Sequence, residues 1–316
     1  MTASSALLRL LHMEKPGLPL EALCARLGLD RETVTELIRE LSGRGHDIQA
    51  GPGGYCLAAP EDSLFPWEFP GREHRMHCYP VAESTMDIAR RLARDGCPDF
   101  TAVTADRQHK GRGRLGRVWL SDPGGLYLTI IARPRMAPQF AFRVNFAASA
   151  VLARLLRQLY NLPAEVKWPN DILIQGRKIS GMLSELGLEA GGIAFLNIGI
   201  GINVNNDPTP DEPRATSIRK ETGHSVPRRR LLAAFLDALE TKLRGDDLAG
   251  IIDEWKSMAM TIGKPVRIVT ATDQYSGLAV DVDQNGALIL ESPDGSRRAI
   301  HYGDCFPLPD QGPDHA

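Results

Sequence analysis

The densest chemistry in the sequence lies in one stretch, Gln108-His109-Lys110-Gly111-Arg112-Gly113-Arg114-Leu115-Gly116-Arg117-Val118-Trp119. With Arg107 it gathers five cations (Arg107, Lys110, Arg112, Arg114, Arg117) and three glycines. Glycine lets a backbone take positive φ and approach a ligand closely, and planar guanidinium groups grip carboxylate or phosphate oxygens in pairs. The pattern predicts a loop that closes over an anion. Arg-Gly runs also occur in disordered RNA-binding segments and solvated linkers, but the flanks here argue otherwise. The apolar run Leu126–Ile131 follows the turn Ser121-Asp122-Pro123-Gly124-Gly125, and Ala102–Ala105 precedes the loop. A loop held between two buried strands is a usual place for a ligand site.

Other segments carry chemistry at lower density. Lys167-Trp168-Pro169-Asn170-Asp171-Ile172-Leu173-Ile174 and Gly176-Arg177-Lys178 onward to Glu185 read as two strands of a hairpin, with Arg177 and Lys178 at its turn. Ile198-Gly199-Ile200-Gly201-Ile202-Asn203-Val204-Asn205 reads as a strand whose alternate glycines leave one face flat enough to admit a ligand ring. Trp119 and Trp168 can stack on a ligand ring, although an aromatic beside a strand is more often core. Ser84-x-x-Asp87 ahead of a helix over Met86–Arg94 predicts a capping box. His77 and His109 stand alone, and the five cysteines are scattered without a C-x-x-C pair. That excludes a zinc-type motif and a disulfide frame, and leaves metal ligands unknown.

These groups need elements to position them, and breaks in the pattern divide the chain into three units. Residues 1–62 read as helix, helix, turn, helix, hairpin, a winged helix-turn-helix. Gly28 supplies the bend, Cys24 the close approach, Val34 and Leu37 the apolar closure, and Asp30 the N-cap of the last helix. The residues of this DNA-binding helix-turn-helix are Leu20, Cys24, Gly28, Arg31, Thr33, Thr35 and Arg39. Yet residues 1–60 hold six Lys plus Arg against seven Asp plus Glu, and Glu32, Glu36 and Glu40 share the last helix with those cations. Phosphate contacts supply most non-specific affinity, so a DNA reader and a fold kept for packing or dimer contacts are both open. A proline-rich linker over 63–74, opened by Ala59–Pro66, leads to a catalytic unit at 75–262. Core helices are expected over Gln139–Tyr160, Pro227–Arg244 and 251–260. Residues 263–308 form a small all-β unit with hairpin turns at Asn285-Gly286 and Asp294-Gly295, and 309–316 a tail.

Composition bounds the rest. The 316 residues are 43% hydrophobic and 24% charged with a net charge of −2, the balance of a globular chain and not of a disordered or fibrous one. Such a balance gives no whole-chain pull toward nucleic acid or anionic membrane, so an anion site must be local. No apolar run approaches the roughly 18 residues that span a bilayer and no signal peptide is evident, which makes the cytoplasm the expected location.

Taken jointly, Glu83-Ser84-Thr85, Gln108 with Gly111–Trp119, Lys167–Asp171, Arg177–Gly181 and Gly199–Asn203 resemble the bacterial biotin protein ligases, specifically the bifunctional members that are also biotin operon repressors. The resemblance runs from the first helix to about Phe306. It implies an α+β architecture: a winged helix-turn-helix, a mixed α/β ligase domain with a class II synthetase-like sheet, and an SH3-like barrel. It implies that biotin's carboxylate attacks the α-phosphate of Mg²⁺-bridged ATP to give biotinyl-5′-AMP and pyrophosphate. A lysine of a biotin carboxyl carrier protein, such as that of acetyl-CoA carboxylase, then displaces AMP. Operator DNA as a second partner and a homodimer formed on adenylate binding are further implications.

By the same resemblance Arg112, Arg114, Lys178 and Asp171 are catalytic. Ser84, Thr85, Met86, Gln108, Arg112, Gly113, Arg114 and Lys178 meet biotin, and Arg114, Arg117, Lys178 and Asn203 meet ATP or the adenylate. Met86 stands where the family usually has asparagine, which leaves its backbone N–H but not a polar side chain for that contact. Residues 110–117 are expected to be mobile when empty and protected by the adenylate. Asp171 either handles the acceptor-amine proton or ties down the turn after Asn170. The alternatives are a ligase whose winged helix does not read DNA, a lipoate or octanoate transferase of similar core, and a ligand-sensing repressor without catalysis.

Overall fold

The computed structural model describes residues 3–58, 62–189, 191–245, 248 and 250–308. The expected linker residues 59–61 and the tail 309–316 lie outside them.

At the N-terminus α1 (Ala3–Met13), α2 (Leu20–Leu27) and α3 (Arg31–Gly43) are followed by the antiparallel pair β1 (Ile48–Gly51) and β2 (Gly54–Leu57). Local chemistry places these ends as expected. Gly28 closes α2 in the left-handed region at φ 65°, and Asp30 caps α3 by accepting from Thr33 N at 2.8 Å. Leu7, Leu11, Leu23, Val34 and Leu41 form the core beneath.

Residues 63–74, expected as a linker, are packed chain. Phe65 is 4% exposed, stacks on Trp67 at 4.4 Å and joins the N-terminal core, while Leu64 and Phe69 enter the central core. Pro66 opens one short 3-10 turn, Pro66–Glu68, and a second covers Glu73–Arg75. The segment lacks helical or strand periodicity because its apolar side chains serve two cores.

The central unit runs β3 (Met76–Ala82), α4 (Thr85–Arg94), β4 (Thr101–Gln108), β5 (Leu126–Ala132), α5 (Phe142–Tyr160), β6 (Ala164–Lys167), β7 (Asp171–Ile174), β8 (Arg177–Glu189) and β9 (Gly192–Ile202), then α6 (Ile218–Thr222), α7 (Arg228–Arg244) and α8 (Ile251–Lys256). Its strands form one mixed sheet in the order β3-β4-β5-β9-β8-β7-β6, with β3 and β4 parallel and the other pairs antiparallel. Helix α4 packs on β4, β5 and β9, and α5 lies between β6–β8 and the pair α7, α8. The expected strand Lys167–Ile174 is two strands, because Pro169 and Asn170 turn the chain between β6 and β7. Helix α5 starts at Phe142, after a separate 3-10 turn at Pro138–Phe140.

The C-terminal unit is an antiparallel sheet of β10 (Lys264–Val269), β11 (Gln274–Val282), β12 (Leu288–Glu291), β13 (Arg297–Ile300) and β14 (Asp304–Pro307), ordered β13-β12-β11-β10-β14. Its Val266, Ile268, Val282 and Leu288 belong to the same core as α5 and α7, and Trp168 Nε1 donates to Gly286 O at 3.0 Å. The C-terminal sheet is therefore fixed to the central unit by buried contacts.

Candidate active site

The floor of the site is the flat patch of β8 and β9. A Cβ at Gly201 would run into the Trp119 indole, one at Gly181 would come within 3.0 Å of the same ring, and one at Gly199 within 2.6 Å of Met86 Sδ. The expected flat face exists, and in this state an indole and a thioether cover it. Trp119 is half-buried, its Nε1 is buried without a partner, and Lys178 Nζ lies 5.3 Å from its ring. Trp119 therefore belongs to the site and Trp168, 1% exposed, to the core.

One wall is the N-terminus of α4. Thr85 N and Thr85 Oγ1 both donate to Gln108 Oε1, at 2.8 and 3.0 Å, so a side chain from the end of β4 satisfies a donor of the helix terminus. Gln108 Nε2 donates to Ser121 Oγ at 3.0 Å, and Thr129 Oγ1 donates to Thr85 Oγ1 at 2.9 Å. Ser84 occupies the N-cap position, yet its hydroxyl makes no capping bond. The capping box expected from Ser84-x-x-Asp87 is thus not formed: Gln108 takes over the capping, and Asp87 faces arginines. Ser84 is 1% exposed and its Oγ has no partner. A buried hydroxyl left unsatisfied costs about 1–3 kcal/mol, so its retention points to a ligand.

The other wall is the cationic loop, which folds down on several anchors. Lys110 N donates to Glu83 O at 2.7 Å, Trp119 N to Gly111 O at 2.9 Å and Gly113 N to Arg117 O at 2.8 Å. Arg112 donates to Asp87 Oδ1 at 2.6 Å, Arg117 pairs with Asp304, and Lys178 Nζ lies 2.7 Å from Asp171 Oδ1. Asp171 thus holds Lys178. Arg114 differs, because its hydrogen bonds go to the neutral Asn170 Oδ1 at 3.1 Å and Gly303 O at 3.2 Å. Burial pushes its guanidinium below the ordinary arginine range, with Asp171 opposing in part and Arg117 adding to the shift. A desolvated cation without a carboxylate in contact is a seat for an incoming anion.

Asn203 is 4% exposed, but its Oδ1 accepts from Asn206 Nδ2 at 3.0 Å and its N–H donates to Ile179 O. It shapes the exit of β9, beside the Ile179 backbone. Residue-by-residue reading of the sequence missed Thr129, Ser121, Glu185, Arg90, Gly303 and Asp304. Thr129 and Ser121 sit in plain strand and turn patterns, and Gly303 and Asp304 come from a remote unit, so spacing carried no signal. The Asp87-x-x-Arg90 pair, three residues apart on α4, was the one visible hint. Among the described residues no group of three or more His, Cys, Asp or Glu side chains could hold a metal ion.

In the N-terminal unit, Leu20 and Cys24 pack against the core and Gly28 makes the bend. Arg31 pairs with Glu21 at 2.7 Å and Arg39 with Glu36. Thr33 Oγ1 donates to Asp30 Oδ2 at 3.0 Å and Thr35 Oγ1 to Arg31 O at 2.7 Å. Both cations of α3 that were expected to face DNA are thus engaged by glutamates.

A mixed sheet carries a glycine-floored cleft between a helix N-terminus and an arginine loop, and comparison with known proteins gives this arrangement its class. Residues 78–205 match the Biotin/lipoate A/B protein ligase family, and residues 261–306 match the Biotin protein ligase C terminal domain. The bifunctional ligase/repressor BirA of Bacillus subtilis is 32% identical over 86% of this chain and 88% of its own length. The biotin–[acetyl-CoA-carboxylase] ligase of Paracoccus denitrificans is 33% identical over 71% of this chain and 97% of its own. The biotin protein ligase of Aquifex aeolicus, solved in complex with biotin and ATP, superposes with a TM-score of 0.63 at 28% identity, covering 74% of this chain and 98% of the Aquifex chain. The chain belongs to the biotin protein ligase family.

Proposed function

We propose that the protein joins biotin to the lysine of a biotin carboxyl carrier protein through biotinyl-5′-AMP, with ATP as the activating substrate. One observation carries the site assignment: Arg114 is desolvated and hydrogen-bonded only to neutral groups, while Asp171, whose charge acts on it, pairs with Lys178 at the edge of the Gly181 floor. In the first step biotin's carboxylate oxygen bonds to the α-phosphorus and the bond to pyrophosphate breaks. Two anions must approach, so fixed cations that need no rearrangement lower the barrier most. Arg112, Arg114, Arg117 and Lys178 serve this role. Mg²⁺ enters bridged to the nucleotide phosphates, as part of that substrate. Ser84, Thr85 and Gln108 form the polar end of the biotin pocket, with Met86 and Trp119 as its apolar lining and Gly113 in the covering loop. Asn203 supports the adenylate side.

In the second step the acceptor amine attacks the mixed anhydride and AMP leaves. An amine of reference pKa ~10.4 is neutral at pH 7 only at a cost of about 4.6 kcal/mol, so a carboxylate beside it helps. Asp171, which pairs with Lys178, is our candidate for that group, the other reading being that it ties down the turn after Asn170. The anhydride is water-labile, and a folded loop shields it.

The matched C-terminal domain favours biotin over the lipoate reading. Pyrophosphate release measured with ATP plus biotin or ATP plus lipoate tests it: release that ignores biotin, or needs lipoate, overturns the reading.

The three units at 1–62, 75–262 and 263–308 read as a winged helix-turn-helix, a class II synthetase-like ligase domain and an SH3-like barrel. The bifunctional BirA of Bacillus subtilis matches 86% of the chain against 71% for the Paracoccus ligase, which supports a second role as a biotin-responsive repressor at an operator, acting as an adenylate-induced homodimer. The paired state of Arg31 and Arg39 supports the opposing reading, a winged helix that packs without reading DNA. Footprinting of promoter DNA with and without biotin and ATP decides between them. The cytoplasm is the proposed location, and no helix among the described residues is long and apolar enough to cross a membrane.

A further inference from the structure

Three charged residues with no assigned contact to substrate, Asp87, Arg90 and Glu185, converge on Arg112. Asp87 Oδ1 accepts from Arg112 at 2.6 Å and from Arg90 at 3.0 Å. Arg90 Nη2 reaches both oxygens of Glu185 at 2.7 Å, with its Nε 3.2 Å from one of them, and Arg112 Nη1 stands 3.9 Å from Glu185 Oε1. We propose that Asp87 is a positioning residue for Arg112: it fixes this guanidinium against the first turn of α4, beside Ser84, before biotin arrives. The inference rests on the ligase reading above and adds a residue to it.

Four physical points support it. Asp87 and Arg90 stand on a helix and Glu185 on a central strand, whereas Arg112 lies in a loop between Gly111 and Gly113. A glycine-flanked side chain loses much freedom when a ligand fixes it, and a rigid frame that orders it beforehand removes that cost from binding. Second, the frame of two arginines and two carboxylates is neutral in sum, so holding Arg112 in it adds no net repulsion to the cationic loop it belongs to. Third, the Arg112, Asp87, Arg90 and Glu185 side chains are 28–50% exposed. Ion pairs this open to water add little to folding stability, so the geometry is better explained by placement. Finally, a Cβ at Gly111 would strike Trp119 O and Ser121 Oγ, so the backbone that aims Arg112 is itself packed against the biotin wall.

The test is a double-mutant cycle in the full chain with Asp87→Asn, Arg112→Ala and both together. It is read as equilibrium binding of labelled biotin, as KM against kcat for biotin-dependent pyrophosphate release, and as Tm. Asp87→Asn should weaken biotin binding by about tenfold, the size of one charge-assisted hydrogen bond, and lower kcat/KM by at least that factor, with part of the loss in kcat because Arg112 also serves the first step. Tm should stay within a degree or two. In the Arg112→Ala background the same change should have no further effect, and Asp87→Glu should restore most of the binding. Equal losses in both backgrounds would mean that Asp87 acts through α4 itself, and unchanged binding would mean that it does not place Arg112; either result overturns the proposal. If the parent protein releases pyrophosphate without regard to biotin, the ligase reading fails first and this inference with it.

Discussion

Ser84→Ala separates a structural hydroxyl from a ligand-binding one, because the two roles predict opposite signs. If Ser84 capped α4, alanine would destabilise the free protein by about 0.5–2 kcal/mol. Here the hydroxyl makes no capping bond, is 1% exposed and has no partner, while Gln108 Oε1 holds Thr85 N at 2.8 Å. Removing an unsatisfied buried oxygen relieves a desolvation cost of about 1–3 kcal/mol, offset in part by the small void left behind. The free protein should therefore melt at the same temperature or up to about 4 °C higher. Biotin binding should move the other way: one lost neutral hydrogen bond of about 0.5–1.5 kcal/mol weakens it roughly 2- to 13-fold. Thermal unfolding with and without saturating biotin reads both quantities on one sample. A free-state Tm that falls by several degrees, or biotin affinity that stays at the parental level, would refute the argument.

Arg114→Ala should lower kcat/KM for pyrophosphate release by about 10²–10³-fold. Arg114→Lys should recover only part of that, since Nη1 alone serves Asn170 Oδ1 and Gly303 O and leaves the rest of the planar fork for an anion, which a point charge on a flexible stem cannot match; full recovery by lysine would contradict this. Gly201→Ala keeps an ordinary backbone but drives a methyl into Trp119, so stability should drop by about 1–3 kcal/mol and adenylate formation should suffer as the ring lifts; an unperturbed Trp fluorescence spectrum would argue against it. Trypsin cleavage between Lys110 and Arg117 should slow when biotin and ATP are added, and equal rates in both states would count against a closing loop. Burial holds the His46 imidazole down to about 4, with Arg44 adding to the shift. Between pH 4 and 6.5 the unfolded chain therefore binds the extra proton, and stability falls as pH drops through that window by at most about 3 kcal/mol. His46→Gln should flatten this dependence, and denaturant melts at pH 4.5 and 7 will show whether it does.

Much of the framework of the candidate site was readable from residue types alone. Glycines at 199 and 201 with strand periodicity dictated a flat face, and the Gly-Arg alternation at 111–117 dictated a loop that can approach an anion, because backbone freedom and charge are local properties. Gly28 and Asp30 likewise placed the ends of α2 and α3, and Asn285-Gly286 a hairpin turn. Tertiary structure decided what local rules cannot reach. It set Gln108 in place of Ser84 as the cap of α4, which freed the Ser84 hydroxyl. It laid Trp119 on the glycine floor, paired Arg117 with Asp304 from the C-terminal sheet, and left Arg114 among neutral partners. It turned the proline-rich stretch after residue 62 into packed chain whose side chains feed two cores. Each of these depends on which group is nearest after folding across tens or hundreds of residues. Hydrogen bonding and desolvation respond to that nearness, and sequence spacing does not record it.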